Sequence, residues 1–230
     1  MAHLNQSGRA DTERLGILGR VGWLSRQSPD FQAAVARLGR WREFRPREIM
    51  YLAGGESDGL YGLAEGTLEI SFPLIGEEEV TVHRAEPGFW IGELSTLAGQ
   101  DRIVTLSAAT AVRVLFLPQI ELRRMVEANP RYWGAFYEQS AGNQIITLML
   151  LAEVLSLTPR ARVARVLLRL SDGEGVVAGT QEDLGRLLGM TRSSIRRAVT
   201  DLTENGLIST GYGKLHILDR EGLEGLTREA

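Results

Sequence analysis

The stretch from Thr180 to Ile208 constrains the fold of this chain more than any other part of the sequence. Thr180 and Asp183 form a predicted N-cap pair, with aspartate at the third position where glutamate or glutamine is usual. Leucines then line one face of a short helix, and these are Leu184, Leu187 and Leu188. Gly189 ends this helix after two turns, because glycine accepts the left-handed backbone conformation that closes a helix.

A second helix follows at once, opened by Thr191 as its cap. Its apolar inner face consists of Ile195, Ala198, Val199 and Leu202, and Asn205-Gly206 ends it. Two short helices joined by a glycine-containing turn predict a helix-turn-helix. The segment Leu207–Leu218 reads as strand, turn and strand, so the motif is predicted to carry a wing.

The distribution of charge indicates what this motif binds. The chain has 26 basic and 29 acidic residues and a net charge of −3, which argues against a polybasic nucleic-acid binder. From Thr158 onward, however, 11 basic residues face 10 acidic ones, a net of +1, and the rest of the chain carries −4. Four arginines and no acid lie between Leu184 and Thr200, and they are Arg186, Arg192, Arg196 and Arg197. This local basic face favours DNA binding.

Position within the motif assigns the candidate DNA contacts. The N-terminus of a recognition helix enters the groove first, so the base-edge candidates are Arg192, Ser193, Arg196 and Arg197. Thr180 and Thr191 suit phosphate contacts, and Lys214, the single lysine of the chain, is placed on the wing near a further phosphate. The alternative is a solvated helix face in a winged helix that binds protein.

The region from Trp41 to Leu117 has a different sequence pattern, with short β-branched and aromatic runs separated by glycines. These runs are Glu48–Leu52, Leu60–Leu63, Thr67–Phe72, Val80–His83 and Val104–Leu117. Strands at roughly ten-residue spacing predict a small antiparallel sandwich or barrel. A short helix entered at Ser28-Pro29 is predicted before it.

A long helix is predicted between the barrel and the basic motif. It follows a short helical segment, Gln119–Ala128, and is bounded by Asn129-Pro130 and Pro159. Alternate spacings of four and three residues join Tyr137, Ala141, Gln144, Leu148, Leu151 and Leu155. Such a seam is typical of a coiled coil and predicts homodimerisation, the alternative being a helix packed on its own domain.

The segment Pro87–Thr105 carries a second chemical pattern, a glycine followed by glutamate, a helical turn and an arginine before a strand. Amides at the N-terminus of the turn and the Arg102 guanidinium suit a cyclic phosphodiester. The Glu93 carboxylate suits a ribose hydroxyl, since it accepts hydrogen bonds.

Taken in this order, the parts from about Leu24 to Leu218 resemble the Crp/Fnr family of bacterial transcription regulators. The turn pattern AGGESDGLYGLAEG, which ends at Gly66, is part of the resemblance. The resemblance implies an α+β fold with an N-terminal antiparallel, jelly-roll-like β-roll, a long dimerisation helix and a C-terminal winged helix-turn-helix. The corresponding segments are 1–128, 129–157 and 158–230. It also implies a homodimer on a palindromic operator of double-stranded DNA and contact with RNA polymerase.

The resemblance assigns roles in effector binding residue by residue. Gly92, Glu93, Leu94 and Arg102 match the family's phosphate-binding cassette, whereas Ile103 stands where serine, threonine or alanine is usual. Thr147 matches an adenine-contacting threonine, and Leu148 replaces the serine that follows it. Cyclic AMP and cyclic GMP are the implied effectors, and a different effector or an effector-independent regulator is the alternative.

The DNA helix departs from the family's founding activator in two places. Arg192 and Arg197 match it, but Ser193 replaces a glutamate and Arg196 replaces a small residue. A different operator sequence is therefore expected.

Several classes of protein and site are excluded or disfavoured. The chain has no cysteine, which excludes disulfides, thiolate zinc sites and cysteine-held iron–sulfur clusters. Its three histidines, His3, His83 and His216, form no ligand pattern, so no metal site is predicted. No nucleophile elbow, Walker loop or histidine–carboxylate cluster suggests an enzyme. The absence of a long apolar run predicts a cytoplasmic protein with neither signal peptide nor membrane anchor.

Overall fold

The structure is a computed structural model that describes residues 15–73, 79–172 and 174–228, so His3 lies outside the described residues. The chain forms two compact units. Of the described residues, the N-terminal unit comprises 15–73, Glu79 and His83–Ile145, and the C-terminal unit comprises Val80–Val82, 146–172 and 174–228. The division into segments 1–128, 129–157 and 158–230 stays a prediction.

Two four-stranded sheets form most of the N-terminal part of the chain. The strands are β1 (Arg40–Phe44), β2 (Ile49–Tyr51), β3 (Gly59–Glu65), β4 (Leu68–Pro73), β5 (Glu79–Ala85), β6 (Trp90–Ile91), β7 (Thr105–Ala108) and β8 (Val112–Pro118). One sheet has the order β1-β8-β3-β6 and the other β2-β7-β4-β5. β8 pairs antiparallel with β1 and β3, β3 with β6, and β7 with β2 and β4. The predicted antiparallel β-roll is confirmed.

The strands β3 and β8 are buried on both faces, which explains their almost unbroken apolar sequences. Alternate side chains of a strand point to opposite faces. Leu60 and Leu115 therefore join a core under the helices, whereas Tyr61 and Phe116 join a second core between the sheets. The run Val104–Leu117, expected as one strand, divides into β7 and β8.

Helices cover the first of these cores. They are α1 (Pro29–Leu38), α2 (Glu93–Ala98), α3 (Gln119–Ala128) and α4 (Tyr132–Ser156), with two short 3₁₀ helices before α1. Ser28 caps α1 by accepting a hydrogen bond from the Phe31 amide. Asn129-Pro130 was expected to open the long helix, but both residues lie before it, and Asn129 Oδ1 accepts from the Arg131 amide at 3.3 Å. The 25 residues of α4 extend about 37 Å at 1.5 Å per residue.

The C-terminal unit is a winged helix. Its further elements are α5 (Pro159–Leu170), β9 (Val176–Ala178), α6 (Gln181–Leu188), α7 (Arg192–Glu204), β10 (Ile208–Gly211), β11 (Lys214–Ile217) and α8 (Arg220–Leu226). The sheet has the order β10-β11-β9. Leucines and other apolar side chains of α5, α6 and α7 form its core with Ile208 and Leu215 of the wing. Sequence inspection missed β9, which lies in a segment that reads as a glycine-rich connection.

None of the helices in the described part of the chain is long and apolar enough to cross a lipid bilayer.

Candidate nucleic-acid interface and sensor cassette

The N-terminus of α6 is closed by a reciprocal capping box. Thr180 Oγ1 accepts from the Asp183 amide at 3.2 Å, and Asp183 Oδ2 accepts from the Thr180 amide at 2.8 Å. This confirms the predicted N-cap pair. Hydrogen bonds from the Thr180 backbone and side chain, followed by the Arg186 guanidinium, lower the pKa of Asp183 to about 2. The carboxylate therefore stays ionised at physiological pH, and the box persists.

The turn between α6 and α7 depends on a left-handed residue. Gly189 has a φ of +59°, in the region that favours glycine. Thr191 then caps α7 by accepting from the Ser194 amide at 3.3 Å. The predicted pair of short, separately capped helices is thus present.

All seven predicted DNA contacts are exposed and belong to the C-terminal unit. They are Thr180, Thr191, Arg192, Ser193, Arg196, Arg197 and Lys214. The first turns of α7 present the Arg192, Ser193, Arg196 and Arg197 group, and Lys214 begins β11 on the wing. The Thr180 amide and the hydroxyls of Thr180 and Thr191 already take part in the helix caps, so a phosphate would have to share these groups with the caps.

Two ion pairs partly neutralise the positive charge of this basic face. Arg192 Nη2 lies 2.9 Å from Glu182 Oε1, and Arg186 Nη2 lies 2.6 Å from Asp183 Oδ1. The sequence did not predict either ion pair, because both acids stand just before the acid-free window. In the described ranges Arg196 has no ion-pair partner, and Arg197 makes only a 3.4 Å hydrogen bond from Nε to the Ser193 carbonyl.

The wing presents one further residue that sequence inspection did not single out. Tyr212 lies in the turn between β10 and β11, flanked by two glycines, and its side chain is fully exposed. An aromatic residue at the tip of a predicted hairpin is the sequence feature that could have indicated Tyr212.

The sensor cassette, residues 92–103, is built around a glycine. Gly92 has a φ of +108° and caps α2. A Cβ atom there would lie 2.6 Å from Arg102 Nη1 and 2.7 Å from the Gly59 carbonyl oxygen. Only glycine permits both this backbone conformation and the close approach of the arginine.

The Arg102 guanidinium is almost fully buried, at 2% exposure, and has protein partners. Its Nη2 donates to Asp58 Oδ1 at 2.6 Å and to the Gly59 carbonyl at 2.7 Å, while Nη1 donates to the Gly92 carbonyl at 3.3 Å. The guanidinium carbon also lies 4.2 Å from the centroid of the Tyr51 ring. Asp58 thus neutralises the charge that a phosphate would meet.

The Glu93 carboxylate is also buried and bonded within the protein. Asn143 Nδ2 on α4 donates to Glu93 Oε1 and to the Trp90 carbonyl, each at 3.0 Å. Gln139 Nε2 donates to the same carbonyl at 2.8 Å. Burial is the largest influence on Glu93 and raises its pKa above the usual value, against the hydrogen bonds that lower it.

The remaining predicted effector residues are partly or fully exposed, and Thr147 belongs to the C-terminal unit. Leu94 and Ile103 are about half exposed. Thr147 is exposed on α4 within the C-terminal unit. The structure therefore brings together Gly92, Glu93 and Arg102 and adds Asp58, Asn143 and Gln139, which are distant in sequence. Across the described ranges, no three histidine, aspartate or glutamate side chains meet as metal ligands.

The predicted seam of α4 is largely uncovered. The exposed fractions are 75% for Tyr137, 58% for Leu148, 51% for Leu151 and 77% for Leu155. Gln144 is exposed and Ala141 is half-buried. Ile145, Met149 and Val154 beside the seam are exposed as well, so the apolar face is wider than the seam alone.

Comparison with known proteins identifies the family to which this chain belongs. Residues 41–129 match the family model of the cyclic nucleotide-binding domain, and residues 161–226 match that of the Crp-like helix-turn-helix domain. The transcriptional regulator LdrP of a Thermus thermophilus strain is 31% identical over 192 residues, which cover 80% of this chain and 94% of that protein. The chain belongs to the Crp/Fnr family.

Two further relatives of this Crp/Fnr regulator extend the comparison. The CRP-like cAMP-activated global transcriptional regulator of Mycobacterium tuberculosis is 24% identical over 216 residues, covering 90% of this chain and 96% of that protein. A solved structure of a CRP-family regulator from Thermus thermophilus is 27% identical, with a TM-score of 0.70 and coverage of 82% of this chain and 97% of that one. The chain is a transcriptional regulator of the Crp/Fnr type, with a cyclic nucleotide-binding domain and a helix-turn-helix.

Proposed function

We propose that this Crp/Fnr regulator binds a palindromic operator as a homodimer and contacts RNA polymerase there, in the cytoplasm. Base edges are read by Arg192, Ser193, Arg196 and Arg197, and phosphates are held by Thr180, Thr191 and Lys214. The observation that carries the proposal is the exposed arginine group on the first turns of a capped recognition helix in a winged fold.

The partner subunit in this proposal binds along α4. The exposed apolar face from Tyr137 to Leu155 is typical of a coiled-coil seam. A second copy supplies the same face, as a two-fold interface requires. The two recognition helices then read half-sites one DNA turn apart, about 34–36 Å.

The cassette supports two candidates for regulation. A cyclic nucleotide fits the Gly92, Glu93 and Arg102 pattern and the printed name of the cAMP-activated relative. An effector of that kind would act by shifting the population of dimer conformations. Regulation without an effector is favoured by the internal partners of Arg102 and Glu93 and by the apolar Ile103.

Calorimetric titration with cyclic AMP and cyclic GMP separates these candidates. Heat of binding, together with a change in operator affinity measured in parallel, supports the cyclic-nucleotide effector. No heat for either nucleotide supports regulation by another effector or by none.

Retention on a non-specific duplex at increasing salt separates DNA binding from a winged helix that binds protein. Neutralising phosphates releases counterions, so the logarithm of the affinity falls linearly with the logarithm of salt concentration. A flat dependence would contradict DNA binding by α7.

A further inference from the structure

The recognition arginine at the start of α7 is held by an acid from the preceding helix. Glu182 lies in the first turn of α6 and Arg192 is the first residue of α7. The turn at Gly189 brings them together, with 2.9 Å between Arg192 Nη2 and Glu182 Oε1. Both side chains remain largely exposed, at 86% for arginine and 59% for glutamate.

We propose that Glu182 is a positioning residue, which orients the Arg192 guanidinium toward a base edge and keeps it from binding phosphate indiscriminately. Discrimination at one base pair of each half-site then depends on Glu182. This inference rests on the proposed function, because it assumes that α7 reads DNA.

The geometry of the guanidinium explains how an acid can sharpen recognition. Arginine presents five N–H donors in a planar fork, and guanine is read by two of them through O6 and N7. Glu182 engages one donor of Nη2, so the donors that remain point in a restricted set of directions. Ordering a long side chain before binding also lowers the entropy lost in the complex.

The Glu182–Arg192 ion pair contributes little to the stability of the fold. An exposed ion pair contributes little to folding stability, and α6 is already closed by the Thr180–Asp183 box. Arg186, in contrast, pairs with Asp183 inside a single helix. Within the described part of the chain, the Glu182 carboxylate contacts Arg192 and no other charged group.

The carboxylate also opposes binding to the wrong DNA. A negative charge beside the recognition helix repels every phosphate, which weakens specific and non-specific binding alike. Only the correct base pair offers the oriented Arg192 a compensating contact. Specificity gained partly by repulsion is a general strategy in recognition.

Glu182→Gln tests this with two duplexes, an operator selected by the wild-type protein and an unrelated sequence of equal length. We expect tighter binding of the unrelated duplex, with a salt slope steeper by about one unit because Arg192 becomes available to a phosphate. The specificity ratio should fall about three- to tenfold, within the discrimination of one base contact. Glu204→Gln, an equal charge change at the exposed end of α7, should leave the ratio unchanged.

A double-mutant cycle shows whether Glu182 acts through Arg192. In the Arg192→Ala background, Glu182→Gln should not change the base preference any further. Equal effects of the Glu182 and Glu204 variants, or an undiminished effect of Glu182→Gln without Arg192, would overturn the proposal. A wild-type protein that prefers no duplex would refute the proposed function itself, and the role of Glu182 with it.

Discussion

Single arginines of α7 differ in the protein contacts that they must give up to bind DNA. Arg196 has no carboxylate partner in the described residues, and Arg197 makes one long hydrogen bond to a backbone carbonyl. Arg192 is held by Glu182. The residue types of this surface were predictable from the sequence, whereas the pairing was not, because it depends on how the turn folds α6 against α7.

Replacing either matched arginine tests the assignment of base contacts. Arg192→Ala and Arg197→Ala should each weaken binding to the selected operator by about 1–3 kcal/mol. Arg220→Ala, on α8 and away from the recognition helix, is the matched control. Quantitative footprinting measures occupancy, and unchanged occupancy in both recognition variants would show that these side chains do not read the operator.

Glu93 is the residue at which the sequence reading and the structure differ most. The pattern predicts a carboxylate that awaits a ribose hydroxyl, yet Asn143 already donates to it. Likewise, Arg102, which the pattern predicts to meet a phosphate, already donates to Asp58. These partners lie 50 and 44 positions away in the chain, and no local spacing indicates them.

The buried Glu93 carboxylate predicts a pH-dependent stability of the N-terminal unit. Burial raises its pKa, so the folded state binds the proton more tightly than the unfolded chain does. The free energy of unfolding should therefore fall as pH rises from the ordinary glutamate range through the raised pKa. Glu93→Gln removes this cost and should stabilise the unit more at pH 8 than at pH 4.5.

Tryptophan fluorescence during urea unfolding measures this effect selectively. All four tryptophans, Trp23, Trp41, Trp90 and Trp133, belong to the N-terminal unit. Glu127→Gln, on the exposed surface of α3, serves as the control. The same stability difference at both pH values would contradict a raised pKa for Glu93.

At the scale of whole elements, most strands and helices were predictable, whereas β1, β6 and β9 were not. Periodicity indicates α7, which buries one regular face, whereas short apolar runs between glycines indicate β3 and β4. β6 and β9 have two and three residues, too few for a pattern. β1 has the sequence RWREF, and three charged residues in five are not typical of a strand.

The exposed face of α4 predicts the effect of a charge placed in the seam. Leu148→Glu should weaken self-association more than about a hundredfold, because the charge would be buried unpaired in an apolar interface. Analytical ultracentrifugation over a range of concentrations measures the dimer fraction. Ser156→Glu, an exposed polar position at the end of the same helix and off the seam, should remain dimeric. A dimeric Leu148→Glu variant would place the interface elsewhere.

For the whole molecule, the net charge of −3 conceals an uneven distribution. The residues from Thr158 onward carry +1 and the others carry −4. The chain passes from the N-terminal unit to the C-terminal unit within α4, which ends just before the basic part begins. The order of parts was predictable from the sequence, and the family models match the same two regions.

Selection of bound sequences from random duplexes, with and without cyclic AMP and cyclic GMP, tests the central claim most directly. A homodimeric reader should enrich a two-fold symmetric motif with half-sites about ten base pairs apart, centre to centre. Arg197→Ala should reduce the enrichment. No enriched sequence under any condition, or a single half-site without symmetry, would contradict a dimeric regulator that reads DNA through α7.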